Sequence, residues 1–330
     1  MAEGTLLLSR TDVAGLLSVE EYLAAVERAF RLHGERRTRP PGILGIHASD
    51  GGFHIKAGIL DLRRSYFAAK INANFPQNME RFGLPLIQGV IVLADAENGS
   101  PLALMDSMEI TLQRTGAATA VAAKYLARPD SRTLTICGCG NQGRVSLQML
   151  SKLFKLEQVF AFDIDNERSA AFARLMSEEM PLPISPIGEL EAAIKASDIV
   201  VTCTPATHFI LSRHYVSPGL FVAAVGADSE LKQELEPGLL AHGKIVVDIL
   251  DQCRVIGELH HALVAGVVTT ADVHAELGEV VAGVKPGRTS PEEVIIFDST
   301  GMALQDVIAA ATVYEKAAAK HAARTFDFAA

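Results

Sequence analysis

Apolar residues follow two different patterns along this chain of 330 residues. In the first third, one helical pattern begins at the capping box Ser18-Val-Glu-Glu21 and ends at Gly34. Short apolar runs follow, separated by turn residues such as Asp50-Gly-Gly. The strands predicted from these runs are Ile43–Ala48, Phe53–Ala57, Phe67–Ala73, Gln88–Ala94 and Leu102–Met105. Strands so close in sequence leave no room for crossover helices, which favours an antiparallel sheet.

The rest of the chain alternates between longer apolar runs and helical segments. Alanine-rich helices are predicted from about Ile110 to Ala127 and from Met302 to Ala323, and the second should pack back on the first domain. The strands predicted between them are Arg132–Cys137, Gln158–Phe162, Ile199–Cys203, Leu220–Val225, Ile245–Ile249 and Val294–Phe297. Continuous apolar runs are typical of parallel strands buried on both faces. The sequence therefore predicts an α/β protein: residues 115–301 form a Rossmann-type doubly wound parallel sheet, and residues 1–114 with 302–330 form a second, α+β domain.

The most specific motif lies between the first two strands of the predicted Rossmann-type domain. Gly138-Cys-Gly140-Asn-Gln-Gly143 follows one strand and opens an amphipathic helix that runs through Leu150. In dinucleotide-binding folds the first glycine permits a tight turn, the second lets a pyrophosphate approach the backbone, and the third lets the helix pack on the strand. The free N–H groups at the helix N-terminus would hold the phosphates.

An acidic residue follows the second strand of the same unit. Asp163 lies twenty residues after Gly143, where a carboxylate can accept hydrogen bonds from both ribose hydroxyls of NAD. Its charge would repel the 2′-phosphate of NADP, so the motif favours NAD. The alternative interpretation is a solvated turn acid, because Asp165 is close by. The order of strand, glycine turn, helix, strand and acid favours nucleotide binding.

The composition excludes several classes of protein. Hydrophobic residues make up 49% of the chain and charged residues 21%, as in a soluble globular protein. The formal net charge is −9 and no long basic run is present, which argues against a nucleic-acid or acidic-membrane surface. No apolar stretch reaches membrane-spanning length, and Met1-Ala-Glu-Gly4 does not begin a signal peptide. We therefore expect a cytoplasmic protein.

The four cysteines do not suggest a disulfide framework or a metal site. They are Cys137, Cys139, Cys203 and Cys253. Cys137 and Cys139 have no second cysteine pair and no nearby histidines, so they make a poor zinc site. We expect small buried thiols and no bound metal.

Four cations that precede the glycine motif lie in unusual sequence contexts. Lys56 and Lys70 fall within predicted strands, Arg39 precedes two prolines, and Arg114 lies in a helix of small residues. Each alone fits a wetted sheet face or an exposed helix position, and for Lys56 this is the simpler interpretation. Together they suit a substrate with carboxylate groups, for which arginine offers a bidentate fork and lysine a point charge.

Asp228 is the candidate acid or base. It closes Val225-Gly-Ala-Asp228 after a buried strand, at the carboxyl edge of the sheet where ligands of doubly wound folds bind. A carboxylate beside a nicotinamide could move a proton to or from an amine or imine nitrogen. An equal alternative is that Asp228 is the N-cap of a helical segment, Ser229–Leu235.

At these residues the chain resembles the ornithine cyclodeaminase and mu-crystallin proteins, a family that also includes archaeal-type alanine dehydrogenase and several imino-acid reductases. The resemblance covers nearly the whole chain. Its anchors are Lys70-Ile-Asn-Ala, Gly83-Leu-Pro85, Met105-Asp106, Arg114-Thr115-Gly-Ala-Ala, Gly138-Cys-Gly-Asn-Gln142, Val225-Gly-Ala-Asp228, Lys232-Gln-Glu-Leu235 and Phe297-Asp-Ser-Thr-Gly301. Together they are specific for the family and not for one reaction.

The resemblance implies a homodimer whose first domain, completed by the last helix, supplies the dimer interface and one wall of the active site. Lys70, Arg114 and Arg39 would hold the substrate carboxylate, although Arg37 could equally occupy the place of Arg39. Asp228 would be the acid or base, Lys70 would share the catalytic site, and Thr300 would face the substrate. The residues implied to contact NAD are Arg114, Thr115, Gly138, Gly140, Asn141, Gln142, Gly143, Asp163, Thr204, Val225, Lys232 and Ser299.

One departure from the family bears on the reaction. Ornithine cyclodeaminases carry a glutamate, suited to a diamine's second amino group, on the run that here offers His54 and Lys56. A cation there would repel the δ-ammonium of ornithine, and Lys56 would favour a second carboxylate. We therefore expect an NAD-dependent oxidoreductase at the carbon–nitrogen bond of a small amino or imino acid. The rivals are a cyclodeaminase that uses NAD catalytically and a mu-crystallin-like binding protein.

Overall fold

A computed structural model gives the architecture of residues 4–320 and 323–328. The strands are β1 (Thr5–Leu8), β2 (Gly42–Ala48), β3 (Gly51–Asp61), β4 (Ser65–Asn74), β5 (Ile87–Asp95), β6 (Pro101–Asp106), β7 (Thr133–Cys137), β8 (Gln158–Phe162), β9 (Ile184–Ile187), β10 (Ile199–Thr202), β11 (Phe221–Ala224), β12 (Lys244–Val247), β13 (Val273–Glu276), β14 (Ile295–Asp298) and β15 (Arg324–Phe326).

The helices alternate with these strands, most regularly after residue 132. They are α1 (Arg10–Ala14), α2 (Val19–Gly34), α3 (Asn78–Phe82), α4 (Ser107–Leu126), α5 (Asn141–Leu150), α6 (Asn166–Glu179), α7 (Leu190–Ala196), α8 (Pro237–Leu240), α9 (Leu250–Cys253), α10 (Glu258–Val264), α11 (Leu277–Val281) and α12 (Ala303–Lys320). The chain divides into two compact units, one of Met1–Arg114 with Met302–Ala330 and one of Thr115–Gly301.

The first unit is built on a seven-stranded sheet. The strand order is β15-β1-β6-β5-β4-β3-β2, and β1 with β6 is the one parallel pair among its described strands. Helix α12 covers the face of β3 and β4 that carries Gly58: a Cβ on Gly58 would lie 3.1 Å from Leu304. The hydroxyl of Tyr66 on β4 donates to Glu315 of the same helix. Side chains at alternate positions of β3 and β4 therefore point towards α12.

The second unit is an eight-stranded parallel sheet with the strand order β13-β12-β14-β11-β10-β7-β8-β9. From β7 the chain builds outward through β8 and β9, and then returns to the other side of β7 with β10. All strands stay parallel, but the order in which the chain adds strands across the sheet therefore reverses between β7 and β10. In open α/β sheets such a switch point, at the carboxyl ends of the strands, is where ligands bind. The predicted Rossmann-type parallel sheet is confirmed.

The sequence predictions for single elements agree in part. The capping box before α2 is present, with Ser18 accepting from Glu21 N–H and Glu21 accepting from Ser18 N–H. Strands β1, β9, β13 and β15 were not predicted, because runs of three or four residues carry little periodicity. The last helix ends at Lys320; residues 321 and 322 of its predicted span lie outside the described residues. Among the described residues, no helix is both long and apolar enough to cross a membrane.

Candidate functional site

The glycine turn between β7 and α5 has the geometry of a phosphate-binding loop. Gly138 has φ of 108°, and a Cβ there would lie 2.9 Å from the carbonyl oxygen of Cys203. A Cβ on Gly143 would lie 2.3 Å from the carbonyl oxygen of Gly138, so this glycine lets α5 approach β7 closely. At Gly140 a Cβ would meet only the end of the Arg168 side chain, at 3.7 Å. Packing does not require glycine there, but its absence of a side chain keeps the helix N-terminus open to a ligand.

Asp163 follows β8 and contacts the glycine turn directly. Its Oδ2 accepts a hydrogen bond from the backbone N–H of Cys139 at 3.0 Å, and its Oδ1 accepts one from Asp165 N–H at 3.1 Å. Arg168 Nε lies 3.9 Å from Oδ2. Asp163 as a whole is 7% exposed, so it is not a solvated turn acid. A carboxylate has about four acceptor sites, which leaves capacity for two ribose hydroxyls.

A buried glutamate, Glu234, ties together the ends of β10 and β11. Its Oε1 accepts from Thr204 N–H at 2.6 Å and Thr204 Oγ1 at 2.8 Å. Its Oε2 accepts from Thr202 Oγ1 at 2.8 Å and Gly226 N–H at 3.0 Å. Burial raises the pKa of this carboxyl although all four hydrogen bonds act in the opposite direction. Glu234 thereby fixes the backbone on which two predicted NAD contacts, Thr204 and Val225, are placed.

A second buried acid, Asp248, fixes the segment after β14. It accepts hydrogen bonds from Thr300 Oγ1 at 3.0 Å, from Ser299 Oγ at 3.4 Å and from Gly301 N–H at 2.6 Å. Gln252 Nε2 donates to Thr300 Oγ1 at 2.7 Å. Ser299 and Thr300 are 5% and 3% exposed. Their hydroxyls are thus engaged inside the second unit, and their predicted contacts with cofactor and substrate remain predictions.

Asp228 lies after β11 at the carboxyl edge of the sheet. Its side chain is 58% exposed, and its Oδ1 lies 2.6 Å from Lys232 Nζ. The segment Ser229–Leu235 is not a helix, and the turn there contains a backbone hydrogen bond from Lys232 N–H to Ser229 O. The alternative that Asp228 caps a helix is therefore wrong. The backbone N–H groups of Glu234 and Leu235 donate to the buried carboxylate of Glu258 rather than to the carbonyl groups of a helical turn.

The first unit brings two of the predicted cations onto one buried acid. Asp306 of α12 places Oδ1 2.9 Å from Arg114 Nε and Oδ2 2.8 Å from Lys70 Nζ. Arg114 Nη1 also donates to Gln305 Oε1 at 3.0 Å. Lys70, Arg114 and Asp306 are 3%, 5% and 1% exposed. This buried group of charges is called the cation cluster below.

Lys56 belongs to the same region of the first unit. It pairs directly with Lys70 in the register of β3 and β4, and it is 9% exposed. The simpler interpretation, a residue on a wetted sheet face, is wrong. Burial lowers the pKa of Lys70 to about 7; Asp306 acts to raise it, and the positive charges of Arg114 and Lys56 lower it further.

Arg39 and Arg37 differ from these buried cations because both are exposed to solvent. Both lie in the connection between α2 and β2. Arg37 Nη1 forms an ion pair with Glu35 at 3.0 Å, whereas Arg39 makes no ion pair with any described residue. Neither carries a geometric argument for substrate contact, so the assignment of Arg39 remains a prediction.

The remaining predicted cofactor residues lie near the glycine turn or in α4. Asn141 and Gln142 are the first two residues of α5, and Gln142 Oε1 is buried without a hydrogen-bond partner among the described residues. Thr115 is 8% exposed in α4.

Cys137 and Cys253 are buried, while Cys139 and Cys203 are half-buried. Within the described residues no group of three or more histidine, cysteine or acidic side chains is arranged to hold a metal ion.

Three acids that organise these sites were missed by sequence reasoning: Glu234, Asp248 and Asp306. A signal was available for Asp306, because Gln305 and Asp306 interrupt an otherwise apolar helical stretch. Asp248 follows directly on an apolar strand, which is the same context that singled out Asp228. Glu234 carried no comparable signal, since its turn contains other charged residues.

The chain matches the family model described as "Ornithine cyclodeaminase/mu-crystallin family" over residues 3–321. The chain belongs to the ornithine cyclodeaminase/mu-crystallin family. Among solved structures of similar proteins, an archaeal alanine dehydrogenase dimer with bound NAD is 37% identical, has a TM-score of 0.93, and is matched over 98% of this chain and 99% of its own.

Two further solved structures in this comparison are imine reductases. The Delta(1)-pyrroline-2-carboxylate reductase of Thermococcus litoralis, in complex with NADH and L-proline, is 32% identical with a TM-score of 0.91 over 98% of this chain and 100% of its own. The iminosuccinate reductase of Paracoccus denitrificans, in complex with NAD+, is 31% identical with a TM-score of 0.89 over the same shares of the two chains. Members of this family similar to the chain thus act on different substrates, so membership does not fix its substrate.

Proposed function

We propose that the protein is an NAD(H)-dependent oxidoreductase that acts at the carbon–nitrogen bond of a small amino or imino acid. The observation that carries the proposal is the cation cluster, in which buried Lys70 and Arg114 are held by Asp306. Removing charges from water is costly even when they are paired, and clusters of perturbed ionisable groups are typical of ligand sites. The similarity to NAD-bound dehydrogenases and reductases supports the same conclusion.

The second unit fits NAD in three respects. The open position at Gly140 would admit the pyrophosphate to the N-terminus of α5. Gln142 Oε1, a buried acceptor without a described partner, lies at the same helix end. Asp163, already oriented by Cys139 N–H, would accept the ribose hydroxyls.

The residues of this chain would divide the chemistry between them. Lys70 and Arg114 would bind the substrate carboxylate and orient the carbon that reacts. Bound NADH would supply hydride to the imine carbon, and NAD would accept it in the oxidative direction. Asp228 would donate a proton to the imine nitrogen, directly or through water, and would accept a proton from the amine nitrogen in the oxidative direction. Its exposed carboxylate, paired with Lys232, is able to exchange protons with solvent.

The finer proposal concerns the substrate's second functional group. Lys56 places a second buried lysine directly beside Lys70. An ammonium in that place would attract a second carboxylate and repel a second amine. We therefore propose a dicarboxylic imine, of the kind formed from oxaloacetate and ammonia, as the preferred substrate.

We also propose a homodimer that buries the edge strand β2. All seven residues of β2 are exposed, including Ile43, Leu44 and Ile46 at 48%, 54% and 49%. An apolar edge strand left open to water invites pairing and aggregation, so covering by a second copy is expected. Light scattering of Leu44→Asp should report a lower mass than the unchanged protein. Val264→Asp, at an apolar position 74% exposed on α10, is the matched control and should not change the mass.

The activity is tested by an NADH-oxidation screen. The substrates are pyruvate, oxaloacetate and glyoxylate, each with ammonia or methylamine, together with cyclic imines such as pyrroline carboxylate. The proposal requires NADH consumption that depends on the amine, with one amino acid formed for each NADH oxidised. With the three oxo acids, amine-independent oxidation would indicate reduction of the carbonyl group and contradict the proposal.

The two rivals give different results when ornithine and lysine, each with NAD, are added to the same panel. A cyclodeaminase returns the hydride to its own intermediate, so it would form proline and ammonia from ornithine without net change in nicotinamide absorbance. A binding protein would show cofactor affinity and no turnover over the whole panel. A solved lysine cyclodeaminase, 27% identical with a TM-score of 0.84, makes the ornithine and lysine arms necessary.

A further inference from the structure

The acid at the centre of the cation cluster is not explained by the packing of its helix. Asp306 is 1% exposed, and its neighbours in α12, Ala303, Leu304, Val307 and Ile308, form an apolar buried face. An aliphatic side chain at this position would avoid the cost of desolvating a carboxylate. The carboxylate instead reaches residues 192 and 236 positions earlier in the chain, Arg114 and Lys70. Such a placement is expected if the carboxylate orients the two cations and compensates their charge.

We propose that Asp306 is a positioning residue that orients Lys70 and Arg114 and keeps Lys70 charged for an anionic substrate. The inference rests on the proposed function for its substrate, but its electrostatic part does not. Asp306 engages Arg114 through Nε, and Gln305 engages Nη1. No described residue bonds Nη2, which therefore stays available to a carboxylate.

The charges around Lys70 make the acid necessary. Lys56 faces Lys70 from β3 and Arg114 from α4, and both are positive; its partner on β5 is the uncharged Ile91. Burial lowers the pKa of Lys70 to about 7 even though Asp306 opposes that shift. Burial would raise the pKa of Asp306, but the charges of Lys70 and Arg114 hold it below its ordinary value. Asp306 therefore stays ionised at neutral pH and sets the protonation of Lys70.

The test is the variant Asp306→Asn, because its amide can still accept from Arg114 and can donate to a neutral Lys70 amine. In the unchanged protein kcat/KM for the imino acid should fall as pH rises through about 7, where Lys70 loses its proton. In Asp306→Asn the fall should occur about one pH unit or more lower, because a nearby opposite charge shifts a pKa by about that amount. KM at pH 8 should rise about tenfold and recover at pH 6, while NAD affinity stays within about twofold.

Two further variants separate charge from packing. Asp306→Glu keeps the acid and should keep the pH midpoint, even where KM weakens through altered geometry. Glu315→Gln removes an exposed acid of the same helix, which accepts a hydrogen bond from Tyr66. Its pH profile of kcat/KM should superimpose on that of the unchanged protein. A uniform loss of activity in Asp306→Asn, with the pH midpoint unmoved, would overturn the proposal and leave Asp306 a packing residue.

A measurement without substrate distinguishes failure of this inference from failure of the proposed function. Between about 7 and the ordinary value of 10.5 the unfolded chain keeps the Lys70 proton and the folded chain does not. Unfolding free energy therefore rises with pH across that window. In Asp306→Asn the rise should begin below pH 7. If that shift occurs and no imino acid is turned over, Asp306 retains its electrostatic role and the proposed function fails; if the stability curves of the two proteins run parallel, this inference fails.

Discussion

Lys56 and Lys70 lie directly opposite each other on the antiparallel strands β3 and β4, and both are buried. Directly opposed residues have Cβ atoms about 4.5–5.5 Å apart, and like charges in that arrangement destabilise a sheet. The pair adjoins the ion pairs that Asp306 forms with Lys70 and Arg114. Retaining two lysines in such a place at a cost in stability is expected of a site that binds anions.

Lys56→Met tests whether this lysine selects the substrate. If its ammonium faces the substrate, its contact with a second carboxylate contributes about 1–4 kcal/mol over the plausible range of effective dielectric. The preference for the imine of oxaloacetate over that of pyruvate should shrink accordingly, with the monocarboxylic imine still reduced. Steady-state kinetics on both imines measure this preference. An unchanged ratio of kcat/KM values would remove Lys56 from the substrate site.

Asp163→Ser tests the cofactor assignment. If Asp163 binds the ribose as proposed, the change removes two charge-assisted hydrogen bonds, each worth roughly 1.5–3 kcal/mol, and it removes the repulsion of a 2′-phosphate. Fluorescence titration should show weaker NADH and comparatively stronger NADPH binding. Asp165→Ser is the matched control, because Asp165 caps α6 and should affect stability rather than cofactor choice. A preference of the unchanged protein for NADPH would refute the reading of Asp163.

Glu234→Gln tests whether one buried carboxylate orders the cofactor side of the sheet. Thr204 N–H and Gly226 N–H donate to different oxygens of the carboxylate, and an amide has only one oxygen, so one part-buried donor loses its acceptor at a cost of up to about 1–3 kcal/mol. Thermal stability should fall, and NADH affinity should weaken because Thr204 and Val225 are less fixed. Thr202→Val removes a single donor to the same carboxylate and should have a smaller effect. Equal effects of the two variants would contradict this role.

Asp228→Asn tests the acid–base role. Asparagine has nearly the same shape but cannot trade a proton at neutral pH, so turnover should fall by roughly 10²–10⁴. The fold should persist, because Asp228 is largely exposed and begins no helix. Circular dichroism and NADH binding serve as controls for the fold. Normal turnover in a stable variant would exclude Asp228 from catalysis.

Local patterns predicted strands β2–β6 of the first unit and most strands of the second, but not the contacts between elements distant in sequence. Strand β8 and the start of α5 could be predicted from apolar runs and glycine spacing. These signals lie within about thirty residues of one another, which is the length of a βαβ unit. The cation cluster depends on the register of β3 with β4 and on a helix near the C-terminus. Gln305 and Asp306 interrupt an apolar helical stretch, which marks them as unusual, but the sequence does not show which distant cations Asp306 contacts.

Helix capping illustrates the same limit at Asp228. The sequence after it, Ser229-Glu-Leu-Lys232, has acceptable helix formers, and aspartate is a favoured cap. Tertiary packing buries the carboxylates of Glu234 and Glu258. They accept hydrogen bonds from backbone N–H groups on either side of Asp228. Local propensity was overridden by hydrogen bonds whose partners are distant in sequence.

The central claim, net redox chemistry at a carbon–nitrogen bond, is tested most directly by following NADH absorbance with oxaloacetate and ammonium while aspartate is quantified. We predict one aspartate for each NADH oxidised, no oxidation without ammonium, and a higher kcat/KM than with pyruvate and ammonium. Proline and ammonia formed from ornithine at catalytic NAD, with no net change in absorbance and no aspartate from oxaloacetate, would contradict the account.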